Sequence, residues 1–126
     1  MALKFDPKEL DEQYTLDKEM IARNWFFVGS ELRKIRREFA STKLFGQHIR
    51  TTPFAAIENH DRSNALWMFE NWREVLDWLE YEIGQPASDP FFTLASLNAS
   101  HPAHIKRQVR RWQKATGVGQ GDEADL

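Results

Sequence analysis

Ile21, Trp25, Val28, Leu32, Ile35 and Phe39 follow one another at alternating steps of four and three residues, and most positions between them are polar or basic. That spacing lines six apolar side chains along one stripe of an α-helix and predicts a long amphipathic helix over about residues 16–40, its seam facing a partner helix. Arg23, Arg33 and Arg37 lie away from the seam around Phe26, so one element is expected both to build core and to carry a basic surface. Gly29-Ser30 interrupts it near the middle, where glycine costs about 1 kcal/mol relative to alanine and permits a bend or a close helix crossing.

The rest of the chain reads as helical as well. Asp6-Pro7 opens a short helix to about Tyr14, proline being tolerated in a first turn, and Thr15 with Asp17 supplies cap chemistry for the long helix after it. A third helix over about 62–83 is bounded by Asp61 or Ser63 and by Gly84 with Pro86. Asp89-Pro90 starts a fourth helix through Leu97, and Ser100 with Pro102 starts a fifth over about 101–116. Residues 41–60, with Gly46 and Pro53, lack helical periodicity. Gln47–Thr51 and Phe54–Ile57 read there as an extended excursion or small hairpin. The expected fold is mainly α, a compact bundle of four to five helices with a short irregular or β-hairpin-like insert near 41–60. One helical domain spans 1–116, and a disordered acidic tail follows over 117–126.

Composition narrows the function classes. A chain of 126 residues with 41% hydrophobic and 29% charged residues has room for one domain with a core. The absence of cysteine removes disulfides, thiolate nucleophiles and thiolate metal sites. No apolar run reaches membrane-spanning length and the first seventeen residues hold no signal-peptide core, so the expectation is a cytoplasmic protein without integral membrane association.

The net charge of −2 conceals segregation: residues 18–50 carry eight Lys/Arg against three Glu, residues 51–90 two Arg against eight acids, and residues 91–120 five Lys/Arg with no acid. The last of these blocks gives the clearest chemical signal. Ile105, Val109 and Trp112 form the apolar stripe of the 101–116 helix, and Lys106, Arg107, Arg110, Arg111 and Lys114 form one arc opposite. Such an arc suits a phosphate backbone, an anionic membrane or an acidic protein surface. Arg33 and Arg37 beside Phe26 offer a second basic field, in which an aromatic can stack on an exposed base while arginines hold phosphates. Against this, Glu70, Glu74, Asp77, Glu80 and Glu82 on the third helix could pair with these cations inside the molecule.

Trp67 and Trp78 share a side of the third helix away from its main stripe of Met68, Phe69, Trp72, Val75, Leu76, Leu79 and Ile83. Either a neighbouring element covers them or they anchor an interface. His101 and His104 are three residues apart, but no His-Glu-x-x-His pattern accompanies them, and no metal site or cofactor is expected. No phosphate-binding glycine loop or nucleophile elbow occurs. The leading expectation is a small non-catalytic nucleic-acid-binding or regulatory factor using Phe26, Arg33, Arg37, Lys106, Arg107, Arg110, Arg111 and Lys114. The alternative is a protein-interaction or self-assembly module, a homo-oligomer or a binder of another protein, acting through the 16–40 helix and the Trp67/Trp78 surface.

Overall fold

The computed structural model describes the backbone of residues 7–117 and the side chains of residues 17–117. The acidic tail expected to be disordered lies outside the described residues from 118 onward. Among the described residues six α-helices follow one another: α1 (Pro7–Arg36), α2 (Thr42–Ile49), α3 (Asn59–Glu70), α4 (Trp72–Ile83), α5 (Pro90–Ser96) and α6 (Pro102–Thr116), with a 3₁₀ turn at Pro53–Ala56. There is no strand among the described residues.

α1 is a single helix of 30 residues, about 45 Å long at 1.5 Å per residue. The two helices expected before residue 40 are therefore one. With no glycine or proline between residues 8 and 28, nothing in the backbone obliges the chain to stop at Thr15, and residues with capping chemistry also tolerate an exposed helix interior. The helix ends earlier than the seam suggests. Arg36 Nη1 donates to the Phe39 carbonyl at 3.0 Å, and the Phe39 ring lies 4.9 Å from that of His48, tying the turn to α2.

The buried face of α1 is also rotated from the expected seam. Ala22, Gly29 and Leu32 are buried and Trp25 and Phe26 partly so, whereas Ile21 is 45% exposed. α3 approaches closely enough that a Cβ on Gly29 would lie 2.1 Å from the Ala65 carbonyl oxygen. Small residues make this contact, and a hydrophobic stripe drawn from large side chains misses them.

Residues 41–60 are helical rather than β-hairpin-like. Ser41 caps α2 by accepting from the Leu44 amide at 3.2 Å, and Phe45 and Ile49, four residues apart, turn to the same side as Leu32 and Leu66. Pro53 occupies the first turn of the 3₁₀ segment, where a missing N–H costs nothing.

The predicted 62–83 helix is divided. Asn71, at φ −110° and ψ 30°, leaves helical geometry, and both its backbone N–H and its side-chain Nδ2 donate to the Trp67 carbonyl, at 2.8 and 2.9 Å. An asparagine side chain competing for a backbone acceptor in this way favours a turn over a continuing helix.

α3 packs on both α1 and α6, while α4 and α5 close the remaining sides. The buried cluster joins Ala22 of α1, Met68 of α3, Val75, Trp78 and Leu79 of α4, Leu94 of α5, and Ile105 and Val109 of α6. The ends of the later helices follow their local signals. Asp89 caps α5 by accepting from the Phe92 amide at 3.2 Å, and Gly84 and Gly117 terminate α4 and α6 at φ 77° and 74°, a conformation glycine adopts without strain. At the start of α6 the cap is His101, whose Nδ1 accepts from the Ala103 amide at 3.1 Å, rather than Ser100.

Leu32 is fully buried beneath α3. Leu32→Ala should lose about 2–5 kcal/mol of stability, the transfer and cavity cost of such a truncation. Urea melts with unchanged midpoints would contradict its place in the core.

Candidate nucleic-acid interface

The basic arc of α6 is built by the packing of its other side. Ile105 and Val109 are completely buried, and Trp112 packs against the core with its ring 5.7 Å from that of Tyr81. With the apolar stripe committed to α3 and α4, the opposite face must point outward, and Arg107, Arg110, Arg111 and Lys114 are all exposed. No ion pair or hydrogen bond engages any of these four side chains among the described residues. Internal pairing with the carboxylates of α3 and α4 does not occur here. Because the apolar stripe is core, α6 cannot also lay that face into a lipid surface.

Lys106 sits at the edge of the arc. Its ammonium lies 5.8 Å from the centre of the Trp67 ring, within cation–π range. Burial lowers its pKa below the usual lysine value, and the neighbouring Arg110 guanidinium lowers it further. The arc therefore concentrates like charge along one face of the helix.

The basic field on α1 is different. Phe26 does not stand free among arginines. Its ring lies 5.3 Å from Phe69, 4.6 Å from Trp72 and 5.4 Å from Phe91, in an aromatic cluster that joins four helices. A ring surrounded this way has no open face for a base, so the expected stacking role for Phe26 is withdrawn. The rotation of α1 that buries Ala22 and Gly29 carries Phe26 inward with them.

Arg33 pairs with Glu70 of α3 at 3.4 Å. Arg23 pairs with Glu19 and Asp89, at 2.8 and 3.4 Å, and lies over the Phe91 ring at 4.7 Å. Lys34 pairs with Glu31 at 3.0 Å. Arg37 is exposed just beyond the end of α1. Exposed pairs of this kind contribute only about 0–1 kcal/mol each, but they neutralise much of the α1 field. α1 and α6 each pack on α3, and of the two basic fields only the α6 arc has most of its cations without an ion-pair partner among the described residues.

The paired tryptophans are likewise largely internal. Trp78 is 4% exposed and belongs to the core with α6 against it, and its Nε1 donates to Glu82 at 3.2 Å. Trp67 is partly buried under Lys106. The break at Asn71 puts the two rings on different helices, and Trp78 is not available as an interface anchor. Ile83, expected on the buried stripe, is exposed at the end of α4.

One polar cluster joins His60 and Glu58 to Asp61 and His101. Asp61 Oδ1 lies 3.5 Å from His60 Nε2 and 3.5 Å from His101 Nε2, and His60 Nε2 is 3.1 Å from Glu58. The ligand-type atoms of Glu58, His60 and Asp61 fall within 4.8 Å of one another. However, His101 Nδ1 accepts the α6 cap hydrogen bond, so in a neutral ring the proton sits on Nε2 and points at Asp61. A metal-binding imidazole has the reverse arrangement, donating from the nitrogen that does not bind metal, so His101 does not extend the group of Glu58, His60 and Asp61. The cluster also crowds the first turn of α3, where the helix dipole disfavours an added cation. Its geometry ties the start of α6 to the start of α3. Only the tertiary fold brings residues 61 and 101 together, and no local pattern signals it.

No protein-family model matches the chain, and no curated protein or solved structure matches it either. Among the described residues, no helix is long and apolar enough to cross a membrane.

Proposed function

We propose that this protein is a small non-catalytic factor that binds nucleic acid through the outward face of α6. The observation that carries this reading is the unpaired state of Arg107, Arg110, Arg111 and Lys114 on one exposed arc of a helix whose opposite face is fully buried. Guanidinium groups that form no ion pair within the molecule are the side chains best suited to phosphate oxygens. A helix anchored by its apolar stripe presents them on a backbone already ordered, so binding has only the side chains to order. A phosphate lying against Lys106 and Arg110 would also offset the repulsion between them. Phosphate contacts set affinity and register rather than sequence preference, so the reading is of a backbone binder for single- or double-stranded nucleic acid. The test is fluorescence anisotropy with labelled duplex and single-stranded DNA and RNA at low salt. Saturable binding that the four-site change to glutamine removes is the expected result. Lack of binding to every probe would end the proposal.

A second reading, self-assembly through α1, has its own observation. Met20 and Phe27, two turns apart on the outer side of α1, are 63% and 61% exposed, with Ile21, 45% exposed, on the flank; large apolar groups exposed on one helix face are a common association surface. This reading expects a concentration-dependent dimer in sedimentation velocity that Phe27→Glu abolishes. A strict monomer across a wide concentration range would remove it.

A further inference from the structure

Between α1, α2 and α3 lies a cavity of about 250 Å³ to which α6 contributes no residue. Its floor is apolar: Leu32 and Ile49 are fully buried, with Phe45 and Leu66 beside them. Two guanidinium groups line its walls, Arg36 from the last turn of α1 and Arg62 from the first turn of α3.

Neither has an acidic partner among the described residues. Arg36 Nη1 donates to the Phe39 carbonyl at 3.0 Å, and its guanidinium lies 5.8 Å from the Phe45 ring centre. Arg62 Nη1 donates to the carbonyls of Phe54 and Ile57, and its Nη2 approaches Asn59 Oδ1 at 3.4 Å. Each guanidinium carries five N–H donors, so both keep donors beyond those the protein uses. Other α1 arginines, Arg23 and Arg33, are matched by carboxylates. An apolar hollow with a few polar groups at its walls is the usual form of a small-molecule site, and here two of the lining residues are arginines without an acidic partner among the described residues.

We propose that this cavity binds a small organic anion, one carboxylate or phosphate group held by Arg36 and Arg62 and a compact apolar body resting on Leu32, Phe45 and Ile49. Size favours a single ring. An apolar cavity of about 150 Å³ accepts benzene, and the larger volume here leaves room for a charged substituent. Gly46 also lines the cavity, and a Cβ there meets no atom within 4 Å. A side chain added at this position therefore starts in open space on the cavity wall.

The experiment is an amide chemical-shift titration of the full chain with benzoate, phenyl phosphate and the neutral control benzyl alcohol. Saturable shifts centred on residues 32, 36, 45, 46, 49 and 62 are expected with at least one anion, and binding of benzyl alcohol should be about tenfold weaker or more, the loss of a charge-assisted hydrogen bond. Arg36→Gln should weaken anion binding by a similar factor. Gly46→Leu should abolish it while the melting temperature stays level or rises, which keeps the test valid if Arg36→Gln disturbs the turn before α2. Equal binding of the neutral compound, shifts centred on α6, no saturable shifts with either anion, or full affinity in Gly46→Leu would each overturn the assignment.

Discussion

Replacing Gly29 with valine should lower the thermal midpoint by about 10 °C or more, corresponding to roughly 3 kcal/mol for a chain of this size. The reason is what a side chain there would meet. A Cβ at Gly29 falls 2.1 Å from the Ala65 carbonyl oxygen, 2.9 Å from its carbonyl carbon and 3.0 Å from Phe69 Cβ. The first two are backbone atoms, so no rotamer change relieves the overlap. α1 and α3 would have to separate along the most extensive helix pairing in the fold, loosening Leu32 and Met68 with it.

Even alanine at this position should destabilise, although alanine normally favours a helix interior over glycine by about 1 kcal/mol. Gly46 provides the opposite case. It too is helical, but a Cβ there meets nothing, so Gly46→Ala should stabilise by about 0.5–1 kcal/mol. Differential scanning calorimetry on the two alanine variants reads the sign directly. A gain in both would mean that α1 and α3 do not cross at Gly29.

The same crossing explains which parts of the fold were legible in the sequence. Helix ends marked by local chemistry could be read: Asp89-Pro90, Gly84, Pro102 and Gly117 bound α4, α5 and α6 nearly where their signals stand. The orientation of α1 could not, because its contact face is made by Ala22 and Gly29, and hydrophobic periodicity gives most weight to residues such as Ile21 that end up outside. That error moved Phe26 from the aromatic cluster to an imagined basic surface. The break at Asn71 coincides with one side chain sharing a helical carbonyl with its own backbone amide, and α2 depends on Phe45 and Ile49 finding Leu32 and Leu66. The first is a local side-chain contact that periodicity does not register, and the second is a tertiary outcome in a segment too short for periodicity to decide. The α6 arc was legible because it needs only one helix with apolar and cationic sides. The cavity between Arg36 and Arg62 was not, since it joins residues 26 apart through three helices.

The α6 reading makes a quantitative claim about salt. If Arg107, Arg110, Arg111 and Lys114 each contact one phosphate, raising salt from 50 to 200 mM should weaken duplex DNA binding about 150-fold, at a log–log slope near −3.6, and single-strand binding about 50-fold, at a slope near −2.8. Changing Arg110 and Arg111 to glutamine should make the duplex slope shallower by about 1.8 and the single-strand slope by about 1.4. The melting temperature should hardly move, because neither arginine has an internal partner to lose and exposed substitutions of this kind stay within about 0.5 kcal/mol. That separation is diagnostic. A drop in melting temperature with unchanged binding would mean that the arc pairs inside the molecule in solution. An unchanged slope in this variant, together with a shallower one in Arg33→Gln/Arg37→Gln, would move the contacts to α1, where Arg33 must first release Glu70. Loss of slope on α6 alone would fix the outward face of that helix as the surface that meets phosphate.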